Sequence, residues 1–306
     1  MNTKKNYEFN RNSFPKVAVL LAAYNGMKWI KEQINSILYQ KNVNIDIYIS
    51  VDSSDDGTYE WCLNLAKNNN NINVLSYGIR YGGAGKNFFR LIKDVDFTNY
   101  DYISFADQDD IWMLDKLSHG IKQMKINKAK AYSANVIAFW EDGNEKIIDK
   151  SQPQRKLDYL FEGGGPGCTY IFSIESANLV KHYLTIFSEL NDFYFHDWLF
   201  YAILRHNKFN WFIDSVPKMK YRQHMDNHVG ANILIKSKLF RIRYVLSGKV
   251  FKYINLLIVF LKIKNIEVTS TKGIFMLAMK ARHLRRRRVD QFFSFFALIL
   301  YGIIHI

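Results

Sequence analysis

Residues 102–112, YISFADQDDIW, decide which fold this chain can adopt. The apolar run over 102–106 predicts a buried strand, and it ends in three carboxylates within four residues, Asp107, Asp109 and Asp110. Like charges that lie this close repel, and a cation or hydrogen bonds must offset the repulsion. A turn with a helix cap and a divalent metal site both meet this requirement, and these residues alone leave both interpretations open.

Apolar runs and amphipathic segments alternate along the chain before this strand. Strands are predicted over 16–25, 44–52 and 71–77, and helices over 27–40, 59–68 and 88–95. Strands that alternate with helices in this way are typical of right-handed βαβ units and a parallel sheet. The sequence therefore predicts an α/β fold with a mostly parallel central sheet and flanking helices.

Three aspartates fall at the expected carboxyl ends of these strands. Asp52 follows the second strand, and Asp107 and Asp109 follow the strand over 102–106. In an open α/β sheet, ligands bind beyond the edge that those ends form. This shared edge is the first evidence for a functional site.

The middle of the chain is less regular. Residues 130–140 predict one strand, and the glycine-rich stretch 163–174 predicts a loop that runs into another strand. Residues 197–207 predict a helix with Asp197 at its start. Because glycine lets the backbone approach a bound molecule closely, we expect this loop to help shape a binding site.

Charge is distributed unevenly along the 306 residues. Residues 231–306 carry 15 Lys or Arg against two acids, a net charge of +13, whereas the preceding 230 residues carry a net of +1. We therefore divide the chain into a polar leader over 1–15, an α/β domain over 16–230 and a basic extension over 231–306. Cys62 and Cys168 form no motif with histidine, which is typical of a protein from a reducing compartment.

The extension contains two apolar runs, 253–261 and 292–306, and a basic cluster over 280–288. Crossing a bilayer takes about 20 apolar residues, and both runs are shorter than that. Interfacial helices beside a basic cluster fit better, which predicts peripheral binding to an anionic membrane surface. A nucleic acid is not the expected partner, because it would explain the four consecutive arginines but not the apolar runs.

Six motifs then occur in the order seen in the inverting glycosyltransferases of family 2, which have the GT-A fold. They are VAVLLAAYNG, ISVDSSDDGT, FADQDDIW, GCTYIF, HDW and YRQHMDNHVGA, and they fall within residues 15–231. The chain resembles above all the bacterial rhamnosyltransferase-like group that builds surface polysaccharides. The resemblance implies a Rossmann-like GT-A catalytic domain over 16–230, in an enzyme that is cytoplasmic and peripheral on the inner face of the cell membrane.

The resemblance also implies where the nucleotide of a sugar donor binds. Ala23, Tyr24 and Asn25 would cradle the base, and Asp52 would accept the N3–H of uracil or thymine. The family usually has paired aspartates where this chain has Val51-Asp52, so only the second is retained. An Asx-turn is the structural alternative for Asp52.

The stretch GGAGK, residues 82–86, adds Lys86 to the expected donor contacts. It is not a P-loop, because the spacing G-x-x-x-x-G-K-[ST] is absent. We expect its glycines to let the loop close over the donor.

For the metal, the resemblance implies that Asp107 and Asp109 hold Mn²⁺ or Mg²⁺ against the donor diphosphate, with Asp109 the main ligand and Asp107 nearer the sugar. His224 is the expected third contact, with Arg222 as its charged neighbour at the diphosphate. Asp110 is expected to cap the next helix.

Asp197, in the motif HDW, matches the catalytic base of the family. An acceptor hydroxyl is a poor nucleophile, and a carboxylate must take its proton as it attacks. Capping of the helix that starts there is the structural alternative, and Asp192 is the competing base.

The resulting expectation is a metal-dependent, inverting glycosyltransferase. It would move a sugar from a dTDP- or UDP-sugar, with dTDP-rhamnose favoured and UDP-hexose possible, to a hydroxyl of a glycan or lipid-linked acceptor. Two alternatives stay open at this point: a sugar nucleotidyltransferase, and a non-catalytic module that binds sugar nucleotides.

Overall fold

The computed structural model describes residues 14–224 and 247–304. Its strands are β1 Lys16–Ala23, β2 Asn44–Val51, β3 Ile72–Val74, β4 Tyr102–Ala106, β5 Ile111–Trp112, β6 Ala131–Ala134, β7 Val136–Phe139, β8 Glu145–Ile148, β9 Ile171–Ser173, β10 Trp211–Asp214 and β11 Met219–Arg222. Its helices are α1 Ile30–Leu38, α2 Thr58–Lys67, α3 Ala84–Asp94, α4 Lys116–Ile126, α5 Ile174–Ile186, α6 His196–His206, α7 Lys249–Phe260, α8 Thr271–Met279, α9 Ala281–Leu284 and α10 Arg288–Ile304. The predicted α/β fold is confirmed.

The strand β1 lies inside a seven-stranded sheet of order β10-β6-β9-β4-β1-β2-β3. It pairs in parallel with β2 and β4, and β3 extends the parallel set beside β2. The strand β9 runs antiparallel between β4 and β6, so the sheet is mostly but not wholly parallel. Because β1, β2 and β4 point the same way, the loops that follow them meet at one edge, as predicted.

Burial on both faces of the sheet explains the continuous apolar runs in its central strands. Every residue of β1 from Val17 to Leu21 is fully buried. Alternate side chains enter two cores: Leu20 packs in one cluster with Phe105, and Leu21 packs in the other.

The segment 130–140, predicted as one strand, forms two strands that belong to different sheets. Residues of β6 pair within the large sheet, whereas β7 joins a four-stranded sheet of order β5-β11-β7-β8. Asn135 occupies the break between them, and its side chain bonds to Asp149 and to the carbonyl of Ser215. The small sheet brings β11, and with it Arg222, beside the carboxylates that follow β4.

The extension is helical, as predicted, and packs onto the α/β domain. Phe251, Ile254 and Leu298 lie in the same buried cluster as Phe193 and Trp198. Among residues 14–224 and 247–304, no helix is long and apolar enough to cross a membrane. The expected boundary between residues 230 and 231 and nearly all of the expected leader lie outside the described residues.

Candidate active site

The carboxylates after β4 face the end of β11 across the junction of the two sheets. Oδ2 of Asp109 lies 2.7 Å from Nε2 of His224. The imidazole of His224 also packs on Trp29, with ring centroids 4.2 Å apart. Two of the three expected metal contacts are therefore adjacent.

Asp110 does not cap a helix, so that prediction is wrong. It is fully buried and precedes β5, whereas α4 begins only at Lys116. Its Oδ1 accepts the backbone N–H of Arg222 at 3.1 Å. The pairing of β5 with β11 is a long-range contact, which is why local sequence suggested a cap instead.

Asp107, Asp110 and Cys168 bring three potential ligand atoms within 4.8 Å of one another. Burial and the nearby charge of Asp109 raise the pKa of Asp107, and burial raises that of Asp110. Burial also holds the pKa of the Cys168 thiol well above its usual range, so sulfur is a neutral and poor ligand for a hard ion.

The carboxylates of Asp107, Asp109 and Asp110 and the imidazole of His224 fit a hard divalent cation. Oδ2 of Asp110 is buried and has no hydrogen-bond partner among the described residues, which leaves one acceptor oxygen available to a ligand. Crowded carboxylate oxygens beside one imidazole form a donor set that suits such an ion. The structure thus contains an acidic site able to hold a metal.

One buried cation lies beneath the acidic cluster and was not found from the sequence. Lys116 is 2% exposed, and its Nζ lies 3.5 Å from the ring centroid of Trp112 and 3.5 Å from Oγ of Ser104. Burial lowers the pKa of Lys116 to about 7, while the charge of Asp110 acts to raise it.

Asp52 lies at the same edge and is 3% exposed. Its carboxylate accepts backbone N–H groups from Ser53 at 2.9 Å, Tyr81 at 2.7 Å and Gly82 at 2.9 Å. Gly82 has a φ of +79°, a conformation that favours glycine. Asp52 therefore ties the loop that contains residues 82–86 to the end of β2.

The loop after β1 is held by its neighbours across the sheet edge. The side-chain amide of Gln108, between the two expected metal aspartates, accepts from and donates to the backbone of Tyr24, both at 2.8 Å. The guanidinium of Arg80 lies 4.2 Å from the ring centroid of Tyr24. Asn25 has a φ of +45°, and its N–H bonds to Ser54.

The other expected donor contacts have protein partners. Ala23 is buried in β1, and its carbonyl accepts the N–H of Asp52 at 2.8 Å. Lys86 is exposed and forms an ion pair of 3.2 Å with Asp192. Arg222 pairs with Glu32, and its Nε donates to the carbonyl of Asp109 at 2.8 Å.

Asp197 lies in the first turn of α6, half-buried. Its Oδ1 accepts the backbone N–H of Trp198 at 2.8 Å. Burial raises the pKa of Asp197 to about 6, against smaller opposing effects of that N–H and of Lys150. Asp192, the competing base, is 84% exposed and paired with Lys86, whereas the burial of Asp197 raises its pKa into a range that suits a general base.

Comparison with known families identifies the chain. The model of the family described as Glycosyl transferase family 2 matches residues 18–183, more than half of the sequence. The chain belongs to glycosyl transferase family 2.

Relatives extend this result beyond the matched region. The dTDP-rhamnosyl transferase RfbG of Shigella flexneri is 42% identical over 288 residues, which cover 92% of this chain and 99% of RfbG. The UDP-Glc:alpha-D-GlcNAc-diphosphoundecaprenol beta-1,3-glucosyltransferase WfgD of Escherichia coli is 26% identical over 193 residues, or 62% of this chain and 70% of WfgD. The match to RfbG spans nearly the whole of both chains and so reaches beyond residues 18–183 into the extension.

A solved structure shows the same fold. TarS of S. aureus, residues 1–349 in complex with UDP, superposes with a TM-score of 0.57 at 18% identity, covering 88% of this chain and 71% of that one. The GT-A fold expected from the motifs is thereby confirmed for this family 2 glycosyltransferase, and the nucleotidyltransferase alternative is not supported.

Proposed function

We propose that this family 2 glycosyltransferase transfers rhamnose from dTDP-rhamnose to a hydroxyl of a glycan or lipid-linked glycan, with inversion at the anomeric carbon. The 42% identity to a dTDP-rhamnosyl transferase along nearly the whole of both chains carries the proposal. The acidic edge of the sheet and the raised pKa of Asp197 support it.

The donor nucleotide binds at the ends of β1 and β2. Tyr24 is 39% exposed, which leaves it accessible to the base. Asp52 has three of its lone pairs filled by backbone N–H groups, and a carboxylate offers about four, so one remains for the N3–H of thymine or uracil. Lys86 would have to break its ion pair with Asp192 to reach a phosphate, and closure of its loop over the donor would break the same ion pair.

Asp107 and Asp109 hold Mn²⁺ or Mg²⁺, with His224 as a third ligand. When bound, such an ion stabilises the negative charge that develops on the departing diphosphate. Arg222, held against Asp109 and Glu32, adds positive charge at the same edge.

Asp197 is the general base. Its position at the start of α6 places the carboxylate in a half-buried pocket, where its raised pKa makes it a better proton acceptor than an exposed aspartate. It takes the proton of the acceptor hydroxyl while the oxygen attacks the anomeric carbon. A single displacement with one base inverts the configuration and needs no covalent intermediate.

The extension binds an anionic membrane surface on the cytoplasmic side. One face of α10 presents an apolar row at helical spacing, whose members are 44–66% exposed: Val289, Phe292, Phe293, Phe296, Leu300 and Ile303. Arg287 and Arg288 are exposed at its N-terminal end. An apolar row beside basic residues, in an extension of net charge +13, complements anionic headgroups.

The test is release of nucleoside diphosphate from purified protein supplied with dTDP-rhamnose, UDP-glucose or GDP-mannose, with Mn²⁺ and with or without EDTA. We expect dTDP from dTDP-rhamnose alone, and loss of release in EDTA. Release from UDP-glucose alone would replace the proposed donor. If no donor is turned over, the protein either requires its acceptor strictly or is the non-catalytic module, and a lack of dTDP binding in calorimetry with Mn²⁺ would overturn the proposed donor site.

A further inference from the structure

The four consecutive arginines of the extension have two different environments. Arg287 and Arg288 are exposed, whereas Arg286 is 3% exposed and Arg285 is half-buried. The four arginines, which the sequence suggests form one basic patch, therefore divide into a buried or half-buried pair and an exposed pair. The first pair points into the protein and carries no part of the proposed membrane contact.

Arg286 binds a loop of the catalytic domain. Its Nη2 donates to the carbonyl of Gly163 at 2.8 Å, and its Nη1 lies 3.4 Å from Oδ2 of Asp158. The backbone N–H of Arg286 bonds to Oε1 of Glu162 at 2.6 Å. Arg285 adds a bond of 2.7 Å to the carbonyl of Phe161.

The same loop lies on the N-terminus of α6. A Cβ placed on Gly163 would come within 3.4 Å of Oδ2 of Asp197 and within 3.3 Å of the backbone N of Trp198. Trp198 also bonds through Nε1 to the carbonyl of Tyr159 at 2.9 Å. Gly163 is thus one van der Waals contact from the proposed base, and its carbonyl is held by Arg286.

Without Arg286, the loop has fewer restraints at this point. Residues 163–165 are three consecutive glycines, which lose more conformational freedom on ordering than any other residue. Gly164 and Gly165 bond to the hydroxyl of Tyr170, and the carbonyl of Gly164 also accepts from Ser133. The carbonyl of Gly163 instead accepts from Arg286, which comes from the extension.

Asp158 connects the loop, α6 and the extension. Its carboxylate is fully buried and accepts from Tyr201 at 2.9 Å, with Arg205 and Arg286 each at 3.4 Å. A buried charge in one segment that is held by partners from two others fixes the relative positions of all three, and loss of one partner leaves the others unbalanced.

We propose that Arg286 is a positioning residue for the transfer reaction: it holds Gly163 against Asp197 and so makes the geometry of the base depend on the docked extension. The proposal rests on the proposed function, in which Asp197 is the base. It assigns Arg286 no contact with substrate.

Arg286→Gln tests the proposal, with Arg286→Lys as the conservative variant and Gly163→Ala as a second perturbation of the loop. Arg282→Gln is the matched control, because Arg282 is exposed in the same extension and, among the described residues, its guanidinium bonds only to His283. The assays are dTDP release from dTDP-rhamnose with Mn²⁺, and calorimetric binding of dTDP with Mn²⁺.

We expect Arg286→Gln to lower kcat by about 10- to 100-fold, the cost of a displacement of about 1 Å at a reacting centre. Gly163→Ala should lower kcat less, because its added Cβ would come no nearer than 3.3 Å to its neighbours. Binding of dTDP should be unchanged, Arg286→Lys should recover part of kcat, and Arg282→Gln should match wild type. A kcat for Arg286→Gln equal to that of the control would overturn the proposal, as would losses of kcat and dTDP binding in equal proportion.

Hydrogen–deuterium exchange separates this proposal from the proposed function. Peptides that cover 158–165 and the first turn of α6 should exchange faster in Arg286→Gln than in Arg282→Gln, whichever donor the enzyme uses. If Arg286→Gln does not fold, Arg286→Lys and Gly163→Ala decide the question by the same measurements. Equal exchange in these peptides would overturn the positioning role even if dTDP-rhamnose proved to be the wrong donor.

Discussion

Nε2 of His224 lies 2.7 Å from Oδ2 of Asp109, and this pair joins the end of β11 in the small sheet to the end of β4 in the large one. Both atoms are ones that a divalent cation uses as ligands. The pair is brought together by the contact between the sheets, since the two residues are far apart in sequence. A bound metal must therefore compete with the bond between them, and removal of either partner has a measurable consequence.

Asp109→Asn should weaken Mn²⁺-dependent binding of dTDP. The neutral amide keeps the shape but removes the charge that a hard cation needs, so we expect the Kd for dTDP with Mn²⁺ to rise at least about 10-fold, the lower end of the cost for outer-shell partners. Calorimetric titration with and without Mn²⁺ measures it. Asp142→Asn, at an exposed turn between β7 and β8, is the control. An unchanged Mn²⁺ dependence would place the metal elsewhere.

Asp197→Asn should nearly abolish transfer while donor binding survives. Removal of a general base costs about 10²- to 10⁴-fold in rate, and the isosteric amide keeps the fold of the first turn of α6. The rate of dTDP release gives the loss, and calorimetry gives the binding. Asp192→Asn serves as the matched control, because Asp192 is exposed and, among the described residues, pairs only with Lys86. A larger loss in Asp192→Asn would make Asp192 the base.

The pH dependence of kcat/KM should show an acidic limb near pH 6. Asp197 must be ionised to accept a proton, and burial raises its pKa to about 6, so activity falls as the pH drops below that value. An exposed aspartate would place the limb about two pH units lower. Rates measured at saturating Mn²⁺, together with dTDP binding at each pH, distinguish protonation of the base from loss of the metal. The residual rate of Asp197→Asn should lack this limb, and a limb that survives the substitution would belong to another group.

The sequence predicted the parts of the fold that local pattern controls. Alternation of apolar runs with amphipathic helices was sufficient for the parallel strands β1 to β4, because their burial on both faces is visible as continuous hydrophobicity. It also predicted that Asp52, Asp107 and Asp109 share one edge. Strand direction at β9 and the division of 130–140 depend on pairing between distant segments, which local pattern does not encode.

The parts of the site that sequence missed are long-range contacts of the same kind. Asp110 was interpreted as a cap because its neighbour in space, Arg222, is far away along the chain. A lysine is usually exposed, so local sequence does not indicate that Lys116 is buried. Its burial is recognised only from its contacts with Trp112 and Ser104. Arg286 belonged to a run of arginines whose inward half can be recognised only from its partners.

The apolar row of α10 gives a test of membrane binding that leaves the docked extension intact. Deletion of the residues after Lys280 would also remove Arg286 and the buried Leu298, so it would disturb the catalytic domain as well as the surface. Phe293 and Phe296 are 55% and 52% exposed and lie outside the buried cluster that docks the extension, so their substitution by Ser leaves that cluster in place. Burial of such a side chain contributes about 1.5–3 kcal/mol, so the double variant should bind anionic vesicles at least about 100-fold more weakly.

Sedimentation with phosphatidylglycerol vesicles measures this loss. Ile126→Ser, at an apolar side chain of α4 that is 63% exposed, is the matched control and should sediment like wild type. Arg287→Gln and Arg288→Gln should each weaken binding by about 1 kcal/mol at low salt and by less at high salt, because screening reduces the attraction to anionic headgroups. If the double phenylalanine variant still sediments like wild type, α10 is not the membrane contact, and the basic residues outside this helix must carry any attraction.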